Sequence, residues 1–229
     1  MTLHINDPAR LEAVSVAKPV PVIRHSSLDL YRDFGKRALD IFIVVLTAPI
    51  TIPLFLLLSL LVMLDGRSPF YVQKRVGRYG HVFGMLKFRT MVCDAEEALE
   101  THLKADPEAR AEWDRDQKLK DDPRITRIGR ILRKTSMDEL PQIWNVLKGE
   151  MSLVGPRPMM VEQVILYPGE AYYQMRPGIS GLWQVSDLNA TTFADRAIYD
   201  DTYYEHLSPT TDLIIVAQTF VVVLRGTGY

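Results

Sequence analysis

Residues 41–64 form 24 consecutive positions without a charged side chain. At about 1.5 Å per residue, such a helix is long enough to cross roughly 30 Å of hydrocarbon. Its length predicts a membrane segment rather than a buried core helix. Lys36 and Arg37 precede the run, and residues 66–90 carry Arg67, Lys74, Arg75, Arg78, Lys87 and Arg89 with no acid. Basic residues mark the cytoplasmic side of a membrane segment, so both flanks point to the same side. Pro49 and Pro53 lie inside the run. Each removes a backbone donor and crowds the preceding turn, which predicts a kink. Thr47, Thr51 and Ser59 are placed to satisfy freed backbone groups. A re-entrant helix-break-helix, with its membrane break at Pro49, explains both observations. A single span is the alternative.

The remaining pattern alternates short extended and helical stretches. Residues 1–33 mix prolines, histidines and arginines with scattered apolar positions. They read as a flexible arm with a short helix near 28–34, and they lack the apolar h-region of a secretory signal. Residues 68–90 predict a β-hairpin around Gly77 and Gly80. Residues 94–122 hold eleven acids and five bases and predict an exposed helical pair, broken near Pro107 and anchored by Trp113. In residues 124–134, Arg124, Arg127, Arg130 and Arg133 recur at every third position between Ile125, Ile128, Ile131 and Leu132. A helix there has a basic and an apolar side, as an interfacial or an ordinary surface helix does. Residues 213–224 are apolar but too short to span. They form a core or interfacial helix, or a strand. The expected fold is α+β and mainly helical: a monotopic membrane protein with a re-entrant segment at 34–65 and a small cytoplasmic catalytic domain at 66–229.

Composition removes several function classes. Lys plus Arg total 27 and Asp plus Glu 28, for a net charge of −1, so no global field draws a nucleic acid. Cys93 is the lone cysteine, which excludes an internal disulfide and, without a Cys/His cluster, argues against structural zinc.

Residues 134–145 carry the candidate chemistry. Ser136 followed by Glu139 fits a capping box opening a helix, with Pro141 in its first turn. Asp138 and Glu139 then sit at a helix N-terminus, where the dipole favours ionised carboxylates. Read alone, they are helix-start residues. Their context adds arginines in rigid settings: Arg133 just before them, Arg157 in Gly155-Pro-Arg-Pro158, and Arg176 in Arg176-Pro-Gly-Ile-Ser-Gly181. Gly155 admits an unusual backbone angle or a close approach, and the flanking prolines stiffen Arg157. Fixed guanidiniums suit bidentate phosphate binding. Carboxylates beside them indicate phosphate chemistry with a divalent metal. Neither a Walker A sequence nor an HExxH motif is present.

The chain resembles the monotopic phosphoglycosyl transferases, the bacterial sugar transferase family that initiates polysaccharide and glycoconjugate assembly. The matching stretches are Lys36-Arg-Ala-Leu-Asp40, the apolar segment with Pro49, Lys87-Phe-Arg-Thr-Met91, Thr135-Ser-Met-Asp-Glu-Leu-Pro-Gln142, Met151-Ser-Leu-Val-Gly-Pro-Arg-Pro158 and Arg176-Pro-Gly-Ile-Ser-Gly-Leu-Trp-Gln184. Length, Asp122-Pro-Arg-Ile-Thr126 and the Gly228-Tyr229 ending look most like the short, single-domain undecaprenyl-phosphate galactose phosphotransferases of exopolysaccharide synthesis. Two stretches depart from the pattern. Ala48 precedes Pro49 where serine is often found, and Asp187-Leu188-Asn189 stands where relatives continue Gly-Arg-Asn. The second departure leaves the sugar open, with galactose and glucose both reasonable.

The resemblance implies that Asp138 attacks the sugar-linked phosphate of a UDP-sugar and that undecaprenyl phosphate then accepts the phosphosugar. Glu139 is the second member of the dyad, and both acids are implied metal ligands, with Mg²⁺ as cofactor. Arg133, Arg157 and Arg176 are the implied phosphate contacts, followed by Lys87, Arg89, Gln184 and Asp201. The implied location is the bacterial inner membrane, with the catalytic domain on its cytoplasmic face in contact with lipid. No nucleic acid is involved, and a homodimer is compatible with this reading. A catalytically silent membrane scaffold is the competing function.

Overall fold

The computed structural model describes residues 30–64, 67–116, 119–186 and 192–224. Most of the expected N-terminal arm, the departure at 187–189 and the Gly228-Tyr229 ending lie outside them. The described residues fall into two units that interleave in sequence. The first takes in those up to Pro49, Val72–Leu86 and Gln142–Val222; the second those of Ile50–Tyr71 and Lys87–Pro141, with the C-terminal end.

A π-helical turn, Tyr31–Gly35, leads into α1, Lys36–Met63. Together they make one helical stretch of 33 residues, and little of its apolar part is buried. Apart from a few residues packed on the rest of the chain, such as Val44 and Val62, protein does not cover this helix, so it has the length and surface of a membrane segment. The element is continuous through Pro49 and Pro53. Thr47 Oγ1 donates to Ile43 O at 2.8 Å and Ser59 Oγ to Phe55 O at 2.7 Å. These hydroxyls therefore bond back four residues. They do not reach the carbonyls of Val45 and Pro49, the groups that the two prolines leave without an i+4 donor, so for Thr47 and Ser59 that expectation is corrected. Back-bonding of this kind itself favours bending.

The hairpin is borne out: β1, Phe70–Val76, pairs with β2, Val82–Phe88. Between them Tyr79 and Gly80 adopt φ of 59° and 79°, the left-handed geometry that a tight turn requires.

In the first unit, α5 (Gln142–Lys148), β3 (Ser152–Val154), α6 (Ala171–Gln174), β4 (Gly178–Ser180), α7 (Leu182–Val185), α8 (Arg196–Glu205) and α9 (Pro209–Leu224) follow in order; the numbers α2 to α4 belong to the second unit. Residues 213–224 are thus helical. β3 and β4 pair in parallel, with Ser152 opposite Gly178 and Val154 opposite Ser180. Gly155 has no positive φ; a Cβ there would stand 2.3 Å from Arg176 O. Close approach, not an unusual angle, is what this glycine provides. A buried polar network fixes the start of α1. Lys36 Nζ and Tyr31 Oη each lie 2.7 Å from Asp212 Oδ2, and Tyr203 donates to the same carboxylate. One turn on, Asp40 accepts from Ser152 Oγ at 2.8 Å and from Leu153 N at 3.0 Å.

In the second unit, Val62, Phe88 and Leu132 form a core that Phe55, Phe70, Met137 and Leu140 complete. The acidic stretch folds as the expected helical pair, α2 (Ala95–Ala105) and α3 (Pro107–Asp116). Pro107 starts α3, and Asp106 Oδ1 caps it by accepting from Glu108 N and Ala109 N at 2.9 and 3.1 Å. The basic helix is shorter than expected: α4 is Arg127–Lys134, capped by Thr126. Arg124 is not on it. Its guanidinium pairs with Asp122 at 2.6 Å and covers the Trp113 ring at 5.0 Å, so Trp113 stacks on an arginine and is only half-buried.

Candidate active site

The two acids of the dyad lie in the second unit, on a turn of their own. After α4, Ser136 adopts the left-handed conformation at φ 56° and makes no side-chain cap. Met137–Glu139 then form a single 3₁₀ turn, and α5 begins only at Gln142. The expected capping box is therefore corrected. An N-cap residue is normally extended, which Ser136 is not, and the Glu139 carboxylate is taken by a cation.

That cation is Lys87. On β2 successive side chains face opposite ways: Phe88 enters the core and Lys87 points away from it. Met137 and Leu140 pack into the same core, leaving Asp138 and Glu139 for the lysine. Lys87 Nζ is 2.8 Å from Glu139 Oε1 and 3.5 Å from Asp138 Oδ2. Burial holds the Asp138 carboxyl above the usual carboxylate range; Lys87 opposes that shift, Glu139 adds to it, and Arg133 opposes it more weakly. Arg133 Nε donates to Thr90 Oγ1 at 2.9 Å, which fixes the guanidinium beside the turn. The structure thus brings together Lys87, Arg133, Asp138 and Glu139, two cations and two anions. Arg89 is engaged elsewhere, donating to Ser68 O at 2.9 Å and Val62 O at 3.3 Å.

Magnesium prefers oxygen donors and takes one or two protein carboxylates, completing its shell with water and phosphate. Asp138 and Glu139 on one short turn offer the two carboxylates of such a donor set; among the described residues no group of three or more His, Cys, Asp or Glu side chains that could hold a metal is present.

In the first unit, Arg157 sits between Pro156 and Pro158 in a loop pinned at both ends. Gly155 N donates to Ser180 O at 2.8 Å, and Gly178 N to Pro156 O at 2.9 Å. Arg75 Nη1 braces the loop by donating to Pro158 O at 3.0 Å. Arg176 donates from Nε to Gly149 O at 3.0 Å, while Arg37 donates to Val146 O and, at 2.8 Å, to Leu147 O. The two guanidiniums cap the carbonyl end of α5, where the helix dipole favours positive charge. Burial and the neighbouring Arg78 and Arg37 lower the Arg176 pKa. Gln184 Nε2 donates to Ile179 O at 3.0 Å, and its Oε1 is buried without a partner among the described residues.

Asp201 is exposed on α8. Its neighbour Asp200, which sequence reasoning missed, is buried and accepts from Tyr167 Oη at 2.6 Å. Burial pushes the Asp200 carboxyl up to about 7, against the Tyr167 hydrogen bond and the Arg196 charge. The signal was available: Ala197, Asp200, Tyr203 and Leu207 recur at helical spacing and all are buried.

Comparison with known proteins joins these observations to a lineage. Residues 31–226 match the family model described as bacterial sugar transferase. Over 197 residues the chain is 47% identical to a UDP-galactose-lipid carrier transferase of Erwinia amylovora, a match covering 85% of this chain and 41% of that protein. It is 46% identical over 197 residues to an undecaprenyl-phosphate galactose phosphotransferase of Salmonella typhimurium, with the same 85% and 41% coverage. With the exopolysaccharide production protein ExoY of Sinorhizobium fredii it shares 43% over 197 residues, 85% of this chain and 87% of that protein. The chain thus spans about two fifths of the first two relatives and most of the third. On a match that runs through nearly every described residue, the chain belongs to the bacterial sugar transferase family.

Proposed function

We propose that the protein transfers a hexose-1-phosphate, of galactose or glucose, from a UDP-sugar to undecaprenyl phosphate and so initiates exopolysaccharide synthesis. The observation that carries this reading is Asp138, largely buried beside a lysine that bonds more closely to Glu139. The activities for which the Erwinia and Salmonella relatives are named support the substrate classes and favour galactose.

In the first step an Asp138 oxygen attacks the sugar-linked phosphorus. The bond from that phosphorus to the bridging oxygen breaks, and UMP leaves. In the second step a phosphate oxygen of the lipid attacks the same phosphorus. The bond to Asp138 breaks, the carboxylate is regenerated, and the lipid diphosphate sugar departs. This is nucleophilic catalysis with ping-pong kinetics. A desolvated carboxylate is a stronger nucleophile than a hydrated one, and Lys87 helps keep it ionised. Arg133 and Lys87 offset the charge that gathers on the phosphoryl oxygens. Magnesium, held by Asp138 and Glu139, supplies further charge neutralisation when bound. Arg157 is proposed to hold an anionic part of one substrate. The bonds of Arg176 and Arg89 to backbone carbonyls favour structural support over direct contact.

The uncovered apolar α1 supports membrane attachment, and its two basic flanks favour a re-entrant insertion from the cytoplasmic side of a bacterial inner membrane. A lipid acceptor then presents its phosphate at headgroup depth without leaving the bilayer, avoiding roughly 0.8 kcal/mol per exposed CH₂.

Intact-protein mass spectrometry tests the proposal. The detergent-solubilised protein is mixed with Mg²⁺ and UDP-galactose or UDP-glucose, without lipid. A gain of one hexose phosphate that disappears in Asp138→Asn is the expected result. No gain and no UMP release with any donor overturns it in favour of a silent scaffold.

A further inference from the structure

Residues 87–90 run off the end of β2 beside the acid dyad. The first of them, Lys87, is the ammonium shared by Asp138 and Glu139. The last, Thr90, holds the other cation of the site: Arg133 Nε donates to Thr90 Oγ1 at 2.9 Å, across 43 positions of sequence. Thr90 is buried, so little water competes for that bond. Sequence reasoning drew Lys87 and Arg89 from this stretch and passed over Thr90. Arg89 instead turns to the carbonyls of Ser68 and Val62.

The backbone of Thr90 is engaged as well. Its carbonyl accepts from Thr126 N at 3.0 Å, and Thr126 Oγ1 caps α4 by accepting from Gly129 N at 2.9 Å. A Cβ on Gly129 would stand 2.1 Å from Thr90 O, so glycine is what lets the first turn of α4 pass this close. Thr90 thus fastens α4 at both ends, by its carbonyl at the first turn and by its hydroxyl at the last. Ser136 N donates to Arg133 O at 3.1 Å, which ties the same anchor to the turn that carries the dyad. A guanidinium can meet a phosphate along two edges, Nε with one Nη or the two Nη atoms together. The bond to Thr90 occupies Nε. Among the described residues neither Nη of Arg133 makes a hydrogen bond or an ion pair, which leaves the end-on edge open.

We propose that Thr90 is a positioning residue for the transfer: its hydroxyl takes up Arg133 Nε and so presents the paired Nη donors, end-on, to the phosphoryl oxygens. Thr90 itself touches no substrate. The inference rests on the transferase reading, in which Arg133 offsets charge on those oxygens.

Single-turnover UMP release and steady-state transfer test this, using the full-length protein in detergent with Mg²⁺, undecaprenyl phosphate and UDP-galactose or UDP-glucose. Thr90→Val keeps the shape and deletes the acceptor. It is expected to slow UMP release roughly ten- to hundredfold, the effect of a misplaced catalytic group. The donor KM is expected to change less than about threefold, because the lost alignment matters in the transition state. Thr90→Ser restores the acceptor and is expected to keep most of the wild-type rate. The decisive readout is the coupling to Arg133. In an Arg133→Lys background, which keeps the charge but has no Nε, Thr90→Val is expected to cost less than about threefold more. Should Thr90→Val not fold, Thr90→Ala replaces it in both backgrounds. A rate for the folded variant equal to that of the wild type, or the same loss in both backgrounds, overturns the inference while the transferase reading stands. If the wild type releases no UMP with either donor, both fail.

Discussion

Lys87 is shared unequally by two adjacent acids, at 2.8 Å from Glu139 and 3.5 Å from Asp138. The closer pair occupies Glu139, and Asp138 is left largely buried with a weaker partner. Removing the ammonium takes away the largest influence that keeps Asp138 ionised. Lys87→Met is therefore expected to raise the Asp138 pKa further and to shift the acidic limb of the pH–rate profile upward. Single-turnover UMP release at neutral pH is expected to fall about a hundredfold or more, in the range of a lost electrostatic stabiliser. An unshifted acidic limb with a small rate loss would remove Lys87 from the site.

If Asp138 is the nucleophile, as proposed, the same burial sets stability against activity there. Because its pKa is raised in the fold, the proton-bound form is favoured. Stability is full below the ordinary carboxylate pKa and is lost as pH rises through the folded value. Asp138→Asn keeps the shape without the charge. It is expected to raise the melting temperature at pH 8 in the presence of chelator while abolishing the covalent adduct. A lowered melting temperature would mean that the ionised acid stabilises this turn.

Asp200 gives a sharper pH dependence because its carboxyl is pushed up to about 7. Its contribution to stability is full below about pH 4 and is lost as pH rises through that folded value. The shift amounts to on the order of 3–5 kcal/mol. Asp200→Asn, which still accepts from Tyr167, is expected to flatten the melting temperature between pH 5 and pH 8. Asp201→Asn, on the exposed side of the same helix, removes a charge that helps raise Asp200 and is expected to change the profile less than Asp200→Asn does. Equal profiles for wild type and Asp200→Asn would show that Asp200 is ionised throughout.

Lys36 and Asp212 form a buried ion pair at 2.7 Å, both side chains about 95% covered. Breaking such a pair strands a charge and costs about 3–5 kcal/mol. Lys36→Met is expected to lower the urea midpoint strongly, and the double change with Asp212→Leu to recover part of the loss. A double variant no better than the single one would show that the tyrosine bonds to Asp212, not the ion pair, carry the network.

Local rules made much of this protein legible. The hairpin follows from extended residues around two glycines, the acidic helical pair from Asp106-Pro107, and α1 from an uncharged run. The dyad's immediate setting was less legible, because Ser-x-x-Glu reads as a capping box unless Lys87, 52 positions from Glu139, competes for the acid. Arg124 misled in the same way: three-residue spacing placed it on a helix, but Asp122 and Trp113 hold it before the helix starts. The choice between Asp200 and Asp201 depended on which face of α8 is buried. For the dyad a long-range partner decided the outcome, for Arg124 near neighbours did, and periodicity alone names neither.

On the proposed re-entrant reading, Pro49 is where α1 turns within the bilayer. As a straight rod its 28 residues would reach about 42 Å, longer than the roughly 30 Å hydrocarbon core. A bend near Pro49 lets the same residues enter and return with both basic flanks in the headgroup layer. Thr47 bonding back to Ile43 weakens the helix just before that point. Cys93 is exposed, so accessibility labelling requires Cys93→Ser as background. With single cysteines placed at Ser27 and Ser68, a membrane-impermeant maleimide is expected to label both from the cytoplasmic side only. Adding Pro49→Leu restores a backbone donor and straightens the helix, which is expected to move label at Ser27 to the opposite side. Opposite-side labelling in the protein that keeps Pro49 would establish a simple span and overturn the re-entrant reading.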